Sequence, residues 1–266
     1  MYCVNYHRAI SVTEAVSRVA SGSDARFLSG GMTLIPAMKT RLSAPSEVVD
    51  VMHIAELKGI SVSGPDVRIG AATTHAEVAG SATLQAAVPA LCHLAGHIGD
   101  PHVRHKGTIG GSIANNDPAA DYPAAVLALG ATIVTDRREI AADDYFQGMF
   151  ATALDAGELI VRIAFPVPTR AAYEKFAHPA SGYAMTGVFV AETAGGIRVG
   201  VTGAGPGVFR WKEAEAALAK KFAAESVAAL RMTPDDLNED IHGSREYRAN
   251  LVNVLTKRAV ARIAGR

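Results

Sequence analysis

The sequence has little of several features that define common classes of protein. Only two cysteines, Cys3 and Cys92, occur among 266 residues. That is too few for a disulfide framework or for an iron–sulfur cluster held by thiolates. Lysine and arginine together number 26, as do aspartate and glutamate, so the formal net charge is zero. Nucleic-acid modules depend on an excess of cations, and the balance argues against that class.

Long apolar runs are also lacking. The most continuous one, from Ala124 to Val134, is too short to cross a bilayer. The opening residues, MYCVNYHRAI, lack the basic start and apolar core of a signal peptide. We therefore expect a soluble, cytoplasmic protein with no transmembrane segment.

Familiar motifs for nucleotides and metals are missing as well. No G-x-x-x-x-G-K-[ST] loop occurs, and no G-x-G-x-x-G follows the first predicted strand. GAGPG at residues 203–207 follows a predicted hairpin and is interpreted as a turn. His93 and His97 are four residues apart, but the glutamate of an HExxH zinc motif is absent. We expect no metal site, and interpret these histidines as a solvated or interface-facing surface; His102 and His105 have no assigned role.

The sequence does contain two matched glycine pairs. SGGMTLIPAMKTRL runs from Ser29 to Leu42, and GTIGGSIANNDPAADYP runs from Gly107 to Pro123. Each predicts a strand or loop, then a Gly-Gly turn, then a helix. Glycine lets backbone approach a ligand, and a helix start directs free N–H groups at one point, which suits phosphate. With hydroxyls nearby at Thr33, Thr108 and Ser112, the pairs are interpreted as one diphosphate site; a plain turn is the alternative for either pair alone.

Two acidic residues beside the second pair need separate interpretations. Asp117 precedes Pro118 and is predicted to cap a helix that runs to Leu129. Asp121 lies one turn later. It either complements the dipole of that helix or accepts a hydrogen bond from a sugar hydroxyl of the ligand, and the residues themselves leave both roles open.

The chain alternates short strands and helices as far as ELIVRIAFPVP, residues 158–168, which we interpret as a strand at a domain boundary. Beyond it, AMTGVFVAETAGGIRVGVTGAG predicts a hairpin with a Gly-Gly turn. Helical segments follow from Trp211 to Leu230, and a last helix begins near Ser244, a residue suited to its N-cap. This pattern predicts an α+β domain at the C-terminal end.

Together, the two glycine motifs, the tail DPAADYPAAVLALGA and the C-terminal EDIHGSREYRANLVNVLTKRAV resemble the flavin-carrying medium subunit of the molybdenum hydroxylases. That family includes aerobic carbon monoxide dehydrogenase and xanthine dehydrogenase. The resemblance covers nearly the whole chain and implies an α+β fold. It implies two N-terminal α/β FAD-binding subdomains of the PCMH type, at residues 1–56 and 57–170, and a C-terminal α+β domain at residues 171–266. The first family motif commonly reads A-G-G-x-S-L, whereas Ser29 and Thr33 replace its Ala and Ser here.

The resemblance implies non-covalent FAD, held by two loops and a few residues near them, with no catalytic side chain required. The implied FAD-binding residues are Gly30, Gly31, Met32, Thr33 and Leu34 in the first loop, Thr108, Gly110, Gly111 and Ser112 in the second, Asn115 nearby, Asp121 on a sugar hydroxyl, Ile160 against flavin or adenine, and Lys175 on the cofactor side. Tyr183 is a weaker candidate for packing near the flavin ring.

The implied function is that of an FAD-dependent oxidoreductase subunit of a molybdenum hydroxylase complex. Electrons would pass from a [2Fe–2S] centre in a small iron–sulfur subunit through FAD to an external acceptor. A large molybdenum subunit would complete a heterotrimer, and two heterotrimers would form a dimer. The His93–His97 face and the Pro101–Lys106 segment are expected at the edge of the interface. Two alternatives stay open: a flavin oxidoreductase that works alone, and a module that binds an ADP-containing ligand without redox turnover.

Overall fold

The computed structural model describes residues 1–265 and begins with a small parallel sheet. Its elements are β1 (Asn5–Arg8), α1 (Val12–Ser21), β2 (Ala25–Leu28), α2 (Leu34–Lys39) and β3 (Glu47–Asp50). Strand β3 lies in the centre, with β1 and β2 parallel to it on either side. Ser11 begins α1 by accepting a hydrogen bond from the N–H of Glu14 at 3.1 Å. The strand, Gly-Gly turn and helix predicted around Gly30 are confirmed by β2 and α2.

The middle of the chain builds an antiparallel sheet covered by short helices. Its elements are a 3₁₀ turn (Ala55–Leu57), β4 (Ile60–Ser63), β5 (Asp66–Gly70), α3 (His75–Gly80), α4 (Ala82–Ala87), α5 (Pro89–Gly96), α6 (Pro101–Lys106), α7 (Ile109–Asn115), α8 (Tyr122–Leu129), β6 (Thr132–Thr135), β7 (Glu139–Ala141), α9 (Ala142–Tyr145), β8 (Phe146–Gly148), β9 (Ala151–Thr152) and β10 (Ile160–Pro166). The five strands lie in the order β4–β5–β10–β6–β7, and β8 pairs with β9 apart from them. Ile69, Ile133 and Ile163 from this sheet share one buried core with Leu91 and Leu94 of α5.

A second antiparallel sheet follows, flanked by helices on both faces. Its elements are β11 (Arg170–Ala177), β12 (Ala184–Thr193), β13 (Gly196–Thr202), β14 (Phe209–Arg210), α10 (Lys212–Lys220), α11 (Ala224–Ala228) and α12 (Arg245–Ala264). The predicted hairpin is confirmed, with β12 and β13 joined by a tight turn. Phe189 and Ala191 of β12 belong to the core shared with the middle sheet, whereas Val188 and Val190 belong to the core beneath α12. The alternation of side chains along a strand thus joins the C-terminal sheet to the rest of the molecule.

Helix α12 is the longest described, at 20 residues. It starts where the sequence predicted, with Ser244 accepting a hydrogen bond from the N–H of Tyr247 at 3.2 Å. Its buried face packs on β11 and β12 and includes Val252, Leu255 and Val260. Within residues 1–265, neither α12 nor another helix has both the length and the apolar character to cross a bilayer.

Helix α8 starts later than predicted. The sequence indicated Pro118, with Asp117 as the cap, but the helix begins at Tyr122. The carboxylate of Asp117 instead accepts the N–H of Ala119 at 2.9 Å, which closes a turn. The carbonyl of Pro118 is also taken, by the N–H of Gly203 at 2.8 Å. An interaction with the C-terminal sheet therefore replaces the first turn of the predicted helix.

Candidate functional site

A cleft of about 640 Å³ lies between the N-terminal sheet, helices α6–α8 and the turn that precedes β12. Binding pockets of about 300–1,000 Å³ are typical of small-molecule sites. The predicted site residues that line the cleft are Gly30, Gly31, Met32, Thr33, Leu34, Thr108, Gly110, Gly111, Ser112, Asn115, Asp121 and Ile160. Lys175 is the predicted residue that does not line it. Folding thus brings the two distant glycine pairs to one cavity.

The first loop, residues 29–34, presents backbone donors to the cleft. The N–H groups of residues 30–34 donate to no acceptor within residues 1–265. Gly31 has a φ of +71°, in the region that favours glycine. A Cβ atom on Gly30 would lie 1.9 Å from the carbonyl oxygen of Lys106. The turn therefore holds a set of open donors in a geometry that requires glycine, and such a set suits an anion.

The second loop, residues 107–112, is different because its N–H groups, except that of Thr108, are already paired within the protein. Those of Ile109 and Gly110 donate to carbonyls just beyond β5, at 3.1 and 2.9 Å. The N–H of Gly111 donates to the side-chain oxygen of Thr108 at 3.1 Å. The expectation that both glycine turns offer free N–H groups is wrong for Ile109, Gly110 and Gly111. Its backbone is fixed against the middle sheet instead.

The two glycines of the second loop have different surroundings. A Cβ on Gly110 would lie 2.5 Å from the Cβ and 2.7 Å from the carbonyl oxygen of Ala71. A Cβ on Gly111 would meet only the hydroxyl of Thr108, at 3.0 Å. Gly110 therefore permits close packing of the loop on the end of β5, and Gly111 leaves space on the cleft side.

A hydrogen bond joins the two loops directly. The hydroxyls of Ser29 and Thr108 lie 2.9 Å apart. Ser29 is the residue that departs from the Ala of the family motif, and alanine has no group that could make this bond. The departure therefore ties the first loop to the second.

Asp121 lines the cleft, but its carboxylate already has two partners from β11. The hydroxyl of Tyr173 donates to Oδ1 at 2.6 Å, and Nζ of Lys175 lies 2.9 Å from Oδ1. Asp121 is 3% exposed. Burial raises the pKa of its carboxyl, and the nearby Lys175 and Tyr173 oppose that rise. Asp121 makes no side-chain cap at the start of α8.

Sequence reasoning missed two residues of this region, His75 and Tyr173. His75 lines the cleft and is 4% exposed, and its Nδ1 atom has no partner within residues 1–265. Burial, with the Arg104 charge nearby, lowers the pKa of His75 to about 4, so the ring is neutral at neutral pH. The capping box formed by Thr74 and Glu77 marks the start of α3 in the sequence and could have located His75. No local signal marks Tyr173.

The histidine face is partly covered. His93 is half-buried, and its Nε2 lies 3.0 Å from Nη1 of Arg262 in α12. His97 is exposed and has its ring Nδ1 2.7 Å from the carbonyl oxygen of His93. His93 thus contacts the C-terminal helix of the same chain, and His97 is the more exposed of the two histidines. No group of three possible metal-ligating side chains occurs within residues 1–265.

Comparison with known proteins identifies the family. The model of the FAD binding domain in molybdopterin dehydrogenase matches residues 2–168. The chain belongs to this family. It is 38% identical to the carbon monoxide dehydrogenase medium chain of Afipia carboxidovorans, over 98% of this chain and 97% of that one. It is 32% identical to the nicotine 6-hydroxylase medium subunit of Paenarthrobacter nicotinovorans, over 99% and 98%.

A solved structure agrees over the full length. Reconstituted CO dehydrogenase from Oligotropha carboxidovorans superposes with a TM-score of 0.91 at 36% identity, covering 100% of this chain and 99% of that one. The resemblance found in the sequence, the α+β fold and the identity of the cofactor as FAD are confirmed. The chain is the medium, FAD-binding subunit of an oxidoreductase in the molybdenum hydroxylase family.

The cleft of this family member fits FAD in its chemistry. The hydroxyls of Thr33 and Ser112 and the amide of Asn115 line the cleft and have no hydrogen-bond partner within residues 1–265. They add to the open N–H groups of the first loop. Ile98 and Ile160 supply apolar surface in the same cleft. A dinucleotide needs both kinds of wall, polar for its diphosphate and sugars and apolar for its rings.

Proposed function

We propose that this chain carries electrons for a molybdenum hydroxylase complex, from the [2Fe–2S] centre of a small subunit through FAD to an external acceptor. The observation that carries the proposal is the match to proteins named as medium chains or medium subunits over nearly their full length. The bound FAD supplies the redox chemistry, and the protein supplies its position and its electrostatic surroundings.

The residues have distinct proposed roles. The open N–H groups of residues 30–34 bind the diphosphate, since they form a continuous run of unpaired backbone donors in the first loop. Thr33, Ser112 and Asn115 bind oxygens of the phosphates and sugars, and Asp121 accepts from a sugar hydroxyl. Met32 and Leu34 complete the first loop, and Thr108, Gly110 and Gly111 shape the second.

Apolar and lysine contacts complete the proposed site. Ile160, which is 4% exposed in a wall of the cleft, contacts the flavin or the adenine ring. Lys175 acts from behind the wall, through Asp121. Tyr183 lines the cleft and is 47% exposed, which suits a residue beside a flavin near the surface.

We propose that the iron–sulfur centre and the molybdenum site of the complex lie on two partner subunits, a small one and a large one. The three chains form a heterotrimer, and two heterotrimers form a cytoplasmic dimer. Met32 and Tyr183 are both cleft residues with more than a third of their surface exposed. A flavin held there lies close enough to the surface to exchange electrons with a neighbouring protein. The Pro101–Lys106 segment, whose helix α6 has no buried residue, borders the same cleft.

We also propose that the chain divides near residues 56 and 170, into FAD-binding subdomains at 1–56 and 57–170 and a C-terminal domain at 171–266. The three main sheets support these limits, because their strands fall within residues 5–50, 60–166 and 170–210.

The test is to produce the chain alone and together with the products of the neighbouring genes, and to follow the visible absorbance of the flavin. We expect the isolated chain to hold FAD that small organic substrates do not reduce, and the assembled complex to reduce it in the presence of its substrate. If the isolated chain turns over an organic substrate as fast as the assembly does, it is a flavin oxidoreductase that works alone. If the purified protein binds an ADP-containing ligand but carries no flavin, it is neither an electron-transfer subunit nor a flavin oxidoreductase.

A further inference from the structure

A buried polar network joins the cleft to the C-terminal sheet. The carboxylate of Asp121 accepts the Tyr173 hydroxyl at 2.6 Å. Nζ of Lys175 lies 2.9 Å from Oδ1 and 3.2 Å from Oδ2 of the same carboxylate. Lys175 also donates to the carbonyl oxygen of His97 at 2.9 Å. Lys175 therefore links the Asp121 carboxylate in the wall of the cleft to the end of α5.

Strand geometry explains why both partners come from β11. Tyr173 and Lys175 are two residues apart, so they project from the same face of the strand. Opposite them in the sheet, Tyr173 pairs with Phe189 and Lys175 with Gly187. A Cβ on Gly187 would lie 2.4 Å from the Tyr173 hydroxyl oxygen. Glycine at that position therefore leaves the space that the hydroxyl occupies.

The charge of Asp121 depends on this network. Burial raises the pKa of the carboxyl, while Lys175, the Tyr173 hydroxyl and, more weakly, the His97 ring lower it. Tyr122 and Tyr183 are the other titratable side chains that respond to the Asp121 charge. Removing either partner from β11 thus moves the pKa of Asp121 upward, since desolvation then acts with less opposition.

We propose that Tyr173 is a positioning residue for FAD, which holds the Asp121 carboxylate in its orientation and in its charged form, so that the C-terminal domain controls cofactor retention. The proposal rests on the proposed contact between Asp121 and a sugar hydroxyl. Tyr173 does not line the cleft and acts only through Asp121. Lys175 contributes to the same task from the same strand face.

The test compares Tyr173→Phe with Tyr122→Phe in the full chain. Tyr122 is also fully buried, it is adjacent to Asp121, and its hydroxyl has no partner within residues 1–265. FAD affinity is measured by titration of the apoprotein at several pH values. We expect Tyr173→Phe to weaken FAD about fivefold at neutral pH, as one lost hydrogen bond predicts. We also expect it to move the acid loss of FAD to higher pH, whereas Tyr122→Phe leaves both unchanged.

Asp121→Asn separates charge from folding. Its amide oxygen still accepts from Tyr173, but the side chain no longer titrates. Tyr173→Phe is expected to shift one step in the pH dependence of FAD affinity. We expect that step to be absent in Asp121→Asn, because the step arises from protonation of Asp121. If Tyr173→Phe does not fold, Asp121→Asn with an unchanged pH profile still overturns the proposal. If Tyr173→Phe binds FAD as tightly as Tyr122→Phe does and with the same pH dependence, the proposal for Tyr173 is wrong. If the wild-type protein binds no FAD, the proposed function itself is wrong.

Discussion

The two glycine loops look alike in the sequence and differ in the structure. In the first loop, the N–H groups of residues 30–34 are open to the cleft. In the second, the N–H groups of Ile109, Gly110 and Gly111 are all paired within the protein. A Gly-Gly pair before a helix therefore does not by itself mean a phosphate donor. The first loop leaves its backbone donors unpaired, whereas the second packs on the middle sheet and is joined to the first by the contact between Thr108 and Ser29.

The largest effect is expected from Gly110→Val. The new Cβ would overlap both the side chain and the carbonyl of Ala71, where backbone must move to make room. We expect most of the protein to be insoluble or to unfold without a cooperative transition, whether or not FAD is added. Gly96→Ala is the control, because a Cβ there meets nothing within 4 Å. Normal thermal unfolding of Gly110→Val would show that the second loop is not fixed by packing.

Low pH should destabilise the folded protein through His75, which contacts the second loop. The backbone N–H of His75 donates to the carbonyl of Gly107 at 2.9 Å, and a Cβ on Gly107 would lie 2.6 Å from Nε2 of the His75 ring. Its folded pKa, about 4, is below the ordinary value of 6.5. Between these two pH values His75 is protonated in the unfolded chain but not in the folded one. The free energy of unfolding therefore falls as pH drops from about 6.5 to 4.

The expected loss of unfolding free energy over that range is about 3 kcal/mol. Urea unfolding of the apoprotein at pH 7 and pH 4.5 measures it, and His75→Gln is the comparison, since that side chain does not titrate. Equal losses in the two proteins would mean that His75 is not protonated on unfolding.

Gly111→Val should separate binding from folding. Its Cβ meets only the Thr108 hydroxyl, so the protein is expected to fold with a melting temperature close to the wild-type value. The added methyl groups enter the cleft and should weaken FAD about thirtyfold, or about 2 kcal/mol. Flavin retained after desalting, together with calorimetry of the apoprotein, tests both halves. Full retention of flavin would mean that the second loop does not border the cofactor.

Ser29→Ala should have the smallest effect. It removes the 2.9 Å contact with the Thr108 hydroxyl and restores the residue usual in the family motif. We expect a stability loss of about 1 kcal/mol and FAD binding weakened by no more than about threefold. Ser23→Ala serves as a control, because Ser23 is exposed and its side chain makes no hydrogen bond within residues 1–265. If Ser29→Ala lowers the free energy of unfolding no more than the control does, the hydrogen bond between Ser29 and Thr108 does not stabilise the protein.

Asp121 shows where sequence reasoning needed the fold. The sequence placed it beside the glycine loop and left helix-end charge and sugar contact as alternatives. The structure adds a third relation, because Tyr173 and Lys175 reach it from β11. Asp121→Ala would therefore leave a buried lysine without its partner, which commonly costs about 3–5 kcal/mol. Asp121→Asn also removes the charge, but its amide oxygen can still accept from Tyr173 and Lys175, so it is the milder probe of cofactor binding.

Most of the local structure could be predicted from the sequence. The Gly-Gly turn before α2, the hairpin of β12 and β13, and the Ser244 cap of α12 are all confirmed. Each depends on residues within a few positions of one another, through capping or tight-turn geometry. The start of α8 could not be predicted in this way, because the N–H of Gly203, which follows the distant strand β13, donates to the Pro118 carbonyl.

The sequence by itself determined which residues are the candidates for the cofactor site, because the paired motifs and their spacing lie in the chain. Only the tertiary structure decided which of those residues have unpaired backbone donors and which are charged. Whether an N–H group is open or paired depends on a carbonyl far away in the sequence, as Ala71 shows for Gly110. Whether Asp121 stays charged depends on Lys175, 54 residues later. Hydrogen bonds and charges act over a few ångströms in space, and the fold, not sequence spacing, sets those distances.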